Sequence, residues 1–318
     1  VNLLQLSKES LLQNCDFQIT GQTVNWFSTD KQEFYQENIK NNLVPEQYQD
    51  VTIEYTFNTQ GYRTAELDTF REKEFIIAFG CSYTQGVGLH QSEIWCEQLA
   101  KLMNTQCMNL ALEGTGVSTT LYQTVNYLNS GLPLPSAVFI QHSHKERRTL
   151  AWNLAYSLGR QDEHGNDVTE FGIMLKNHEP EYPADDGVRE ILVEDDYQSG
   201  KHIDAITYMW NGVGVPVLHW TYNMDCETNM SNNRILVLPR EHLLPGDWVH
   251  DIARDCTHNG PVDNINVSKN LHIMYEYLQS QGRLCISDWE EIPRQLTAEE
   301  QAQRKIIEQR NRTNILYN

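Results

Sequence analysis

Short apolar runs alternate with longer stretches of mixed polarity through the middle of the chain, and their order predicts the fold. EFIIAFG, 74–80, is a continuous apolar run ending in glycine, the pattern of a strand buried on both faces. The polar, glycine-bearing loop CSYTQGVGLHQSE follows it. A helical stretch then runs from about Ile94 to Met103, with Ile94, Leu99 and Leu102 able to share a face. CMNLAL, 107–112, repeats the strand pattern, EGTG supplies a turn, and STTLYQTVNYLNS reads as helix. SAVFIQH, 136–142, is a third strand, with KERRTLAWNLAYSL as the helix after it. IDAITYMWN is helical again, VPVLHW, 215–220, is a fourth strand, and RILVLP, 234–239, fits either class. Residues 266–280 make an amphipathic helix with Leu271, Met274 and Leu278 on one face. This repeated order is that of an open, mostly parallel sheet with helices on both faces, which gathers ligands at the C-terminal ends of its strands.

Three parts of the chain depart from that rhythm. Residues 1–72 are polar with brief apolar bursts. Within them Val51, Ile53, Tyr55 and Phe57 alternate with Thr52, Glu54 and Thr56, the period of a half-buried strand, before turn residues at 58–61. This stretch is read as an N-terminal extension with a small antiparallel element, packed on the main domain because its apolar content is too thin for a core of its own. The main domain spans 73–285 and carries an acidic insertion at about 159–200, which includes Glu181, Asp185, Asp186, Glu190, Glu194, Asp195 and Asp196. The insertion reads as loop, either a solvated acidic surface or a rim over a site. The third part, 286–318, is a charged helical tail. There Thr297 and Glu300 form a capping box that opens a helix to about Arg310.

Composition narrows the partners. The 318 residues suffice for one large domain with a decorated edge, or for two modest domains. Asp and Glu number 43 against 24 Lys and Arg, a net charge of -19. That surplus opposes the basic footprint a nucleic acid backbone requires, so no nucleic acid partner is expected. A local pocket can still take a small anion. No run approaches the roughly 18 apolar residues of a membrane-spanning helix. The opening VNLLQLSKESLLQN has neither the basic start nor the long apolar run of a secretory leader. Seven cysteines, at 15, 81, 96, 107, 226, 256 and 285, are scattered with no CxxC pair, which points to reduced thiols and a cytoplasmic location. Copies of the chain, should they associate, are expected to meet through the N-terminal extension or the C-terminal tail.

Two segments carry candidate chemistry. In FGCSYTQGVGL, 79–89, Ser82 lies just past a buried strand, with glycines at 80, 86 and 88 that permit a sharp turn and close approach to backbone amides. Its own N–H would lie beside a helix N-terminus, favourable for a developing oxyanion. Taken alone, such a serine also serves as an ordinary turn or cap residue. In RDCTHNGP, 254–261, Asp255 and His258 stand three apart. From one turn they can supply a base for a serine hydroxyl and a carboxylate to orient it, or His258 can simply cap and pack. Without HExxH or companion ligands, no metal or other cofactor is expected. A thiol nucleophile at Cys81 or Cys256 is the weaker reading, since each fits a structural role.

GCSYTQG, NLALEGTG and DCTH, in that order on a βα framework, resemble the SGNH (GDSL-type) hydrolases over about 74–280. The extension segment YTFNTQGYR, 55–63, is similar to a leader found before the first motif in some esterase-like members. The resemblance implies a three-layer α/β/α, flavodoxin-like fold. It further implies ester hydrolysis through an acyl-enzyme, with Ser82 as nucleophile, His258 as base and Asp255 orienting it. Gly114, after Asn109 in the second motif, would join the Ser82 N–H in an oxyanion hole. Two positions depart from the family pattern. Cys81 stands where the family carries Asp, and FIQHSHKERR, 139–148, lacks the family's Gly-x-Asn-Asp. His144 is the expected replacement donor, with Ser143 as the alternative, and Arg147 or Arg148 would meet a substrate anion. The activity so implied is removal of an acyl group from a small or carbohydrate ester, an O-acetylated sugar being one case. Hydrolase and acyltransferase share these residues. A non-enzymatic structural or glycan-binding protein on the same scaffold is the competing reading.

Overall fold

A computed structural model describes residues 19–142, 187–222, 235–237 and 251–286, with the side chains of 187–199, 236 and 237 left aside. All of them belong to one compact unit of the chain, Val1–Ile286. The helix expected over KERRTLAWNLAYSL, the residues Ser143, His144, Arg147 and Arg148, and the capping-box helix of the tail lie outside the described residues.

Among the described residues five strands form a parallel sheet: β3 (Phe75–Phe79), β4 (Gln106–Asn109), β5 (Ala137–His142), β6 (Val217–Thr221) and β7 (Ile235–Val237), ordered β4-β3-β5-β6-β7. Every residue of β3, β5 and β6 is buried, which is why these segments read as continuous apolar runs rather than alternating ones. Within the apolar run 234–239, residues 235–237 form strand β7. Pairing in β4 ends at Asn109, short of the expected 112. Even so, the Leu110 and Leu112 N–H groups still donate to the Ala78 and Gly80 carbonyls, at 2.9 and 3.0 Å.

The helices cover both faces. On one side α4 (Val117–Ser130) packs with α5 (Gly187–Gly212), where Ile203, Ile206 and Trp210 meet Ile77, Phe79, Val138 and Ile140. On the other, α3 (Trp95–Leu102) packs against α6 (Pro261–Ser280). There Trp95 stands edge-on to Trp220, and Tyr275 lies against Phe139. The result is a three-layer α/β/α architecture. Its order differs from the sequence reading at two places. Residues 187–200, read as part of an acidic loop, are helical and continue into IDAITYMWN without a break. α6 begins at 261 rather than 266, with Pro261 in its first turn and the Asp251 carboxylate accepting the Val262 N–H at 3.0 Å.

The segment before β3 contains two-residue strands β1 (Thr23–Val24) and β2 (Tyr55–Thr56), paired antiparallel, and helix α1 (Gln32–Lys40). The alternation across 51–57 survives in burial, with Ile53, Tyr55 and Phe57 inside and Thr52, Glu54 and Thr56 outside. It yields a short strand because the partner offers only two residues to pair with. Arg63, buried among these elements, sends its guanidinium to the carbonyls of Glu54, Gln85, Gly86 and Leu89. Burial pushes its pKa down, to about 10. Among the described residues no helix is long and apolar enough to cross a membrane.

Candidate active site

β3 is flanked by β4 on one side and β5 on the other, so the chain reverses direction across the sheet at its C-terminal end. Such a switch point opens a crevice above the strand ends. Into it the chain places a one-turn helix, α2 (Ser82–Gln85), whose first residue is Ser82. The turn is tight because Gly80 has no side chain: a Cβ there would lie 2.2 Å from Thr84 Oγ1. α2 is held from below by three side chains. Gln141 Oε1 accepts the Thr84 hydroxyl at 3.0 Å, Trp95 Nε1–H donates to that hydroxyl at 3.2 Å, and Asn109 Nδ2 donates to the Thr84 carbonyl at 2.8 Å. Ser82 itself is only 8% exposed.

The loop before α6 brings the other two residues. His258 Nε2 lies 2.7 Å from Ser82 Oγ, and His258 Nδ1 lies 2.6 Å from Asp255 Oδ2. A carboxylate only accepts, so Nδ1 carries the ring proton and a neutral His258 presents a lone pair at Nε2 to the serine hydroxyl. Asp255 Oδ1 accepts the N–H groups of Thr257 and His258, both at 3.1 Å, which folds the three-residue spacing into one turn. That turn forces Cys256 to φ 57, an uncommon backbone conformation for a residue other than glycine. Burial by itself would raise the Asp255 carboxyl. The hydrogen bond and charge of His258, the Thr29 hydroxyl and the His258 N–H outweigh it, and the pKa falls below the ordinary carboxylate value.

The structure thus brings Ser82, His258 and Asp255 together. Gly114 lies in the loop after β4, at φ 68, and that loop is pinned to the turn before Ser82, since Leu112 N–H and Thr115 Oγ1 both donate to the Gly80 carbonyl. His144 lies outside the described residues. Cys81 is buried, with its thiol directed to Gln141 Oε1, and burial pushes the Cys256 thiol up to about 11. Among the described residues no three His, Cys, Asp or Glu side chains converge as metal ligands.

Several further residues crowd the site. Tyr83 sets its ring edge against His258 with centroids 4.6 Å apart, and Tyr222, at the end of β6, lies beside Tyr83. Gly88, at φ 78, lies against the acid: a Cβ would fall 2.9 Å from Asp255 Oδ1 and 2.8 Å from the Ala253 Cβ. Thr29 donates to Asp255 Oδ2 at 2.6 Å from far upstream. A buried pair of histidines occupies the α5 face of the sheet. Thr207 Oγ1 donates to the Ile203 carbonyl, so it accepts from His219 Nε2–H, and His219 Nδ1 accepts from His142 Nε2–H. Burial pushes the His142 pKa down to about 3, so the ring stays neutral.

No protein-family model and no curated protein matches the chain. Solved structures do. The chain is similar to the crystal structure of TesA, at 13% identity and a TM-score of 0.40 over 65% of this chain and 99% of that one. It is similar to the psychrotrophic esterase EstA from Pseudoalteromonas sp., at 13% identity and a TM-score of 0.37 over 65% and 99%. AlinE4, an SGNH-hydrolase family esterase, matches at 15% identity and a TM-score of 0.32 over 64% and 97%. The solved structures to which the chain is similar are consistently lipolytic enzymes and esterases of the G-D-S-L or SGNH kind, the family that its own serine, glycine and histidine motifs resemble.

Proposed function

We propose that the chain is a serine ester hydrolase of the SGNH kind. The observation that carries the reading is the unbroken line from Ser82 Oγ through His258 to Asp255, at 2.7 and 2.6 Å. Nucleophile, base and orienting acid are in hydrogen-bond reach in the order that acyl transfer needs. Ser82 Oγ attacks the ester carbonyl as its proton passes to His258 Nε2, and Asp255 stabilises the imidazolium. The tetrahedral oxyanion is met by the Ser82 N–H, at the start of α2 and outside the helix's own ladder, and by the Gly114 N–H. His144, by its place after β5 in the sequence, is the third donor. Collapse expels the alcohol, which takes its proton from His258. Water, deprotonated by the same ring, then attacks the acyl-serine, and the acid leaves. The substrate is a short-chain ester, an O-acetylated carbohydrate being the class we favour, with its alcohol portion resting on the half-buried rings of Tyr83 and Tyr222.

A fluorophosphonate probe tests the reading. Stoichiometric labelling at Ser82, lost in Ser82→Ala with folding retained, is expected, together with turnover of short-chain activated esters by the parent. A folded parent that neither labels nor turns over esters would overturn it in favour of a non-enzymatic scaffold.

A further inference from the structure

The acid of the triad is held from outside its own loop. Residues 27–30 form a tight turn in which the Phe27 N–H donates to the Asp30 carbonyl and the Asp30 N–H donates to the Phe27 carbonyl, both at 3.0 Å, with Ser28 at φ 58. The turn offers two successive side chains to two successive residues of the 251–260 loop. Thr29 Oγ1 donates to Asp255 Oδ2 at 2.6 Å. Asp30, fully buried, receives the Arg254 guanidinium, with Nε at 3.0 Å from Oδ1 and Nη2 at 2.5 Å from Oδ2. Arg254 further donates to the carbonyls of Val51 and Asn25 and lies 4.2 Å over the Trp26 ring.

A carboxylate has about four lone-pair sites. Those of Asp255 are filled by the N–H groups of Thr257 and His258, the His258 Nδ1–H and the Thr29 hydroxyl. The first three donors belong to residues 257 and 258, so they travel with the loop. The Thr29 hydroxyl comes from a segment 226 residues away and ties the carboxylate to the body of the protein. The residue Thr29 is exposed, whereas the Asp255 side chain is wholly enclosed, so the hydroxyl is directed inward onto the acid.

We propose that Thr29 is a positioning residue for the reaction, acting through Asp255, and that the 27–30 turn locks the Asp255–His258 pair in line with Ser82. The proposal rests on the serine-hydrolase reading above. It assigns the N-terminal segment a part in turnover as well as in stability. Without the Thr29 donor the Asp255 carboxylate gains a rotational freedom that loosens the imidazole relative to Ser82 Oγ.

Thr29→Val and Thr29→Ser in the full chain test it, because they keep the exposed backbone and differ in the hydroxyl. Thr29→Val is expected to lower kcat for a short-chain activated ester about tenfold, the scale of losing one hydrogen bond to a charged group, with KM within about twofold. Thr29→Ser should restore most of it. The low-field proton resonance of the Asp255–His258 hydrogen bond should move or broaden in Thr29→Val and return to its parental position in Thr29→Ser. Parental kcat in Thr29→Val, loss of kcat with an unmoved resonance, or equal impairment in both variants would overturn the proposal. A parent without ester turnover or phosphonate labelling defeats the Ser82 reading instead. In that case the resonance alone decides whether Thr29 positions the pair: a shift in Thr29→Val supports it and an unmoved line rejects it.

Discussion

Replacing Asp255 with Asn probes the site where its geometry is most constraining. The carboxylate uses Oδ1 to accept two backbone N–H groups and Oδ2 to accept His258 Nδ1–H and the Thr29 hydroxyl. An amide has one oxygen, and the two backbone donors claim it for the Oδ1 position. The NH2 group must then occupy the Oδ2 position, facing His258 Nδ1 as a donor. The ring responds by shifting its proton to Nε2, which now points an N–H at Ser82 Oγ instead of a lone pair. The protein keeps its shape, since Asn is nearly isosteric and two of the four hydrogen bonds persist. Its base is disabled. In the Ser-His-Asp template the same exchange lowers turnover about 10⁴-fold, about 5.5 kcal/mol of barrier, and a loss of that order is expected here. The assay is steady-state hydrolysis of a short-chain activated ester, with urea unfolding of both proteins as the control for structure. Retention of a tenth or more of parental kcat in a folded Asp255→Asn variant would refute the tautomer argument and remove Asp255 from the mechanism.

Two further outcomes follow from the buried ionisable groups. Asp30→Asn should destabilise the protein by about 3 kcal/mol, the low end for breaking a buried pair, because Arg254 keeps the Val51 and Asn25 carbonyls and the Trp26 face; urea midpoints measure it, and a change under about 0.5 kcal/mol would contradict the assignment. His142, pushed down to about 3 by burial, takes up a proton on unfolding at any pH between that value and its ordinary 6.5. Its contribution to stability is therefore present above about 6.5 and is lost as pH falls below it, by up to about 1.4 kcal/mol per pH unit. Urea unfolding at pH 6.5 and 5 should show a shallower loss for His142→Gln than for the parent, and equal slopes would count against a neutral buried ring.

Periodicity and local chemistry were enough to read the sheet. Strands buried on both faces are predominantly apolar, so EFIIAFG, SAVFIQH and VPVLHW announced themselves, and glycines at 80 and 88 marked places where backbone and side chains crowd. Asp255 and His258 were legible because three residues apart is a local distance, and one turn suffices to join them. The start of α6 was misplaced because part of its capping comes from Asp251, ten residues before the helix. Residues 187–200 read as loop from their acidic composition, yet they form one helix with the apolar-faced segment that follows, where Ile203, Ile206 and Trp210 are buried. Thr29, Asp30 and Gln141 had no local signature, since each acts on residues distant in sequence. Local pattern alone therefore determined the strands, the turn that carries Ser82 and the Asp–His turn. Only the tertiary structure decided that these meet, and that a polar turn near the beginning of the chain closes on the acid, because hydrogen bonds between segments some 226 residues apart leave no periodicity along the chain.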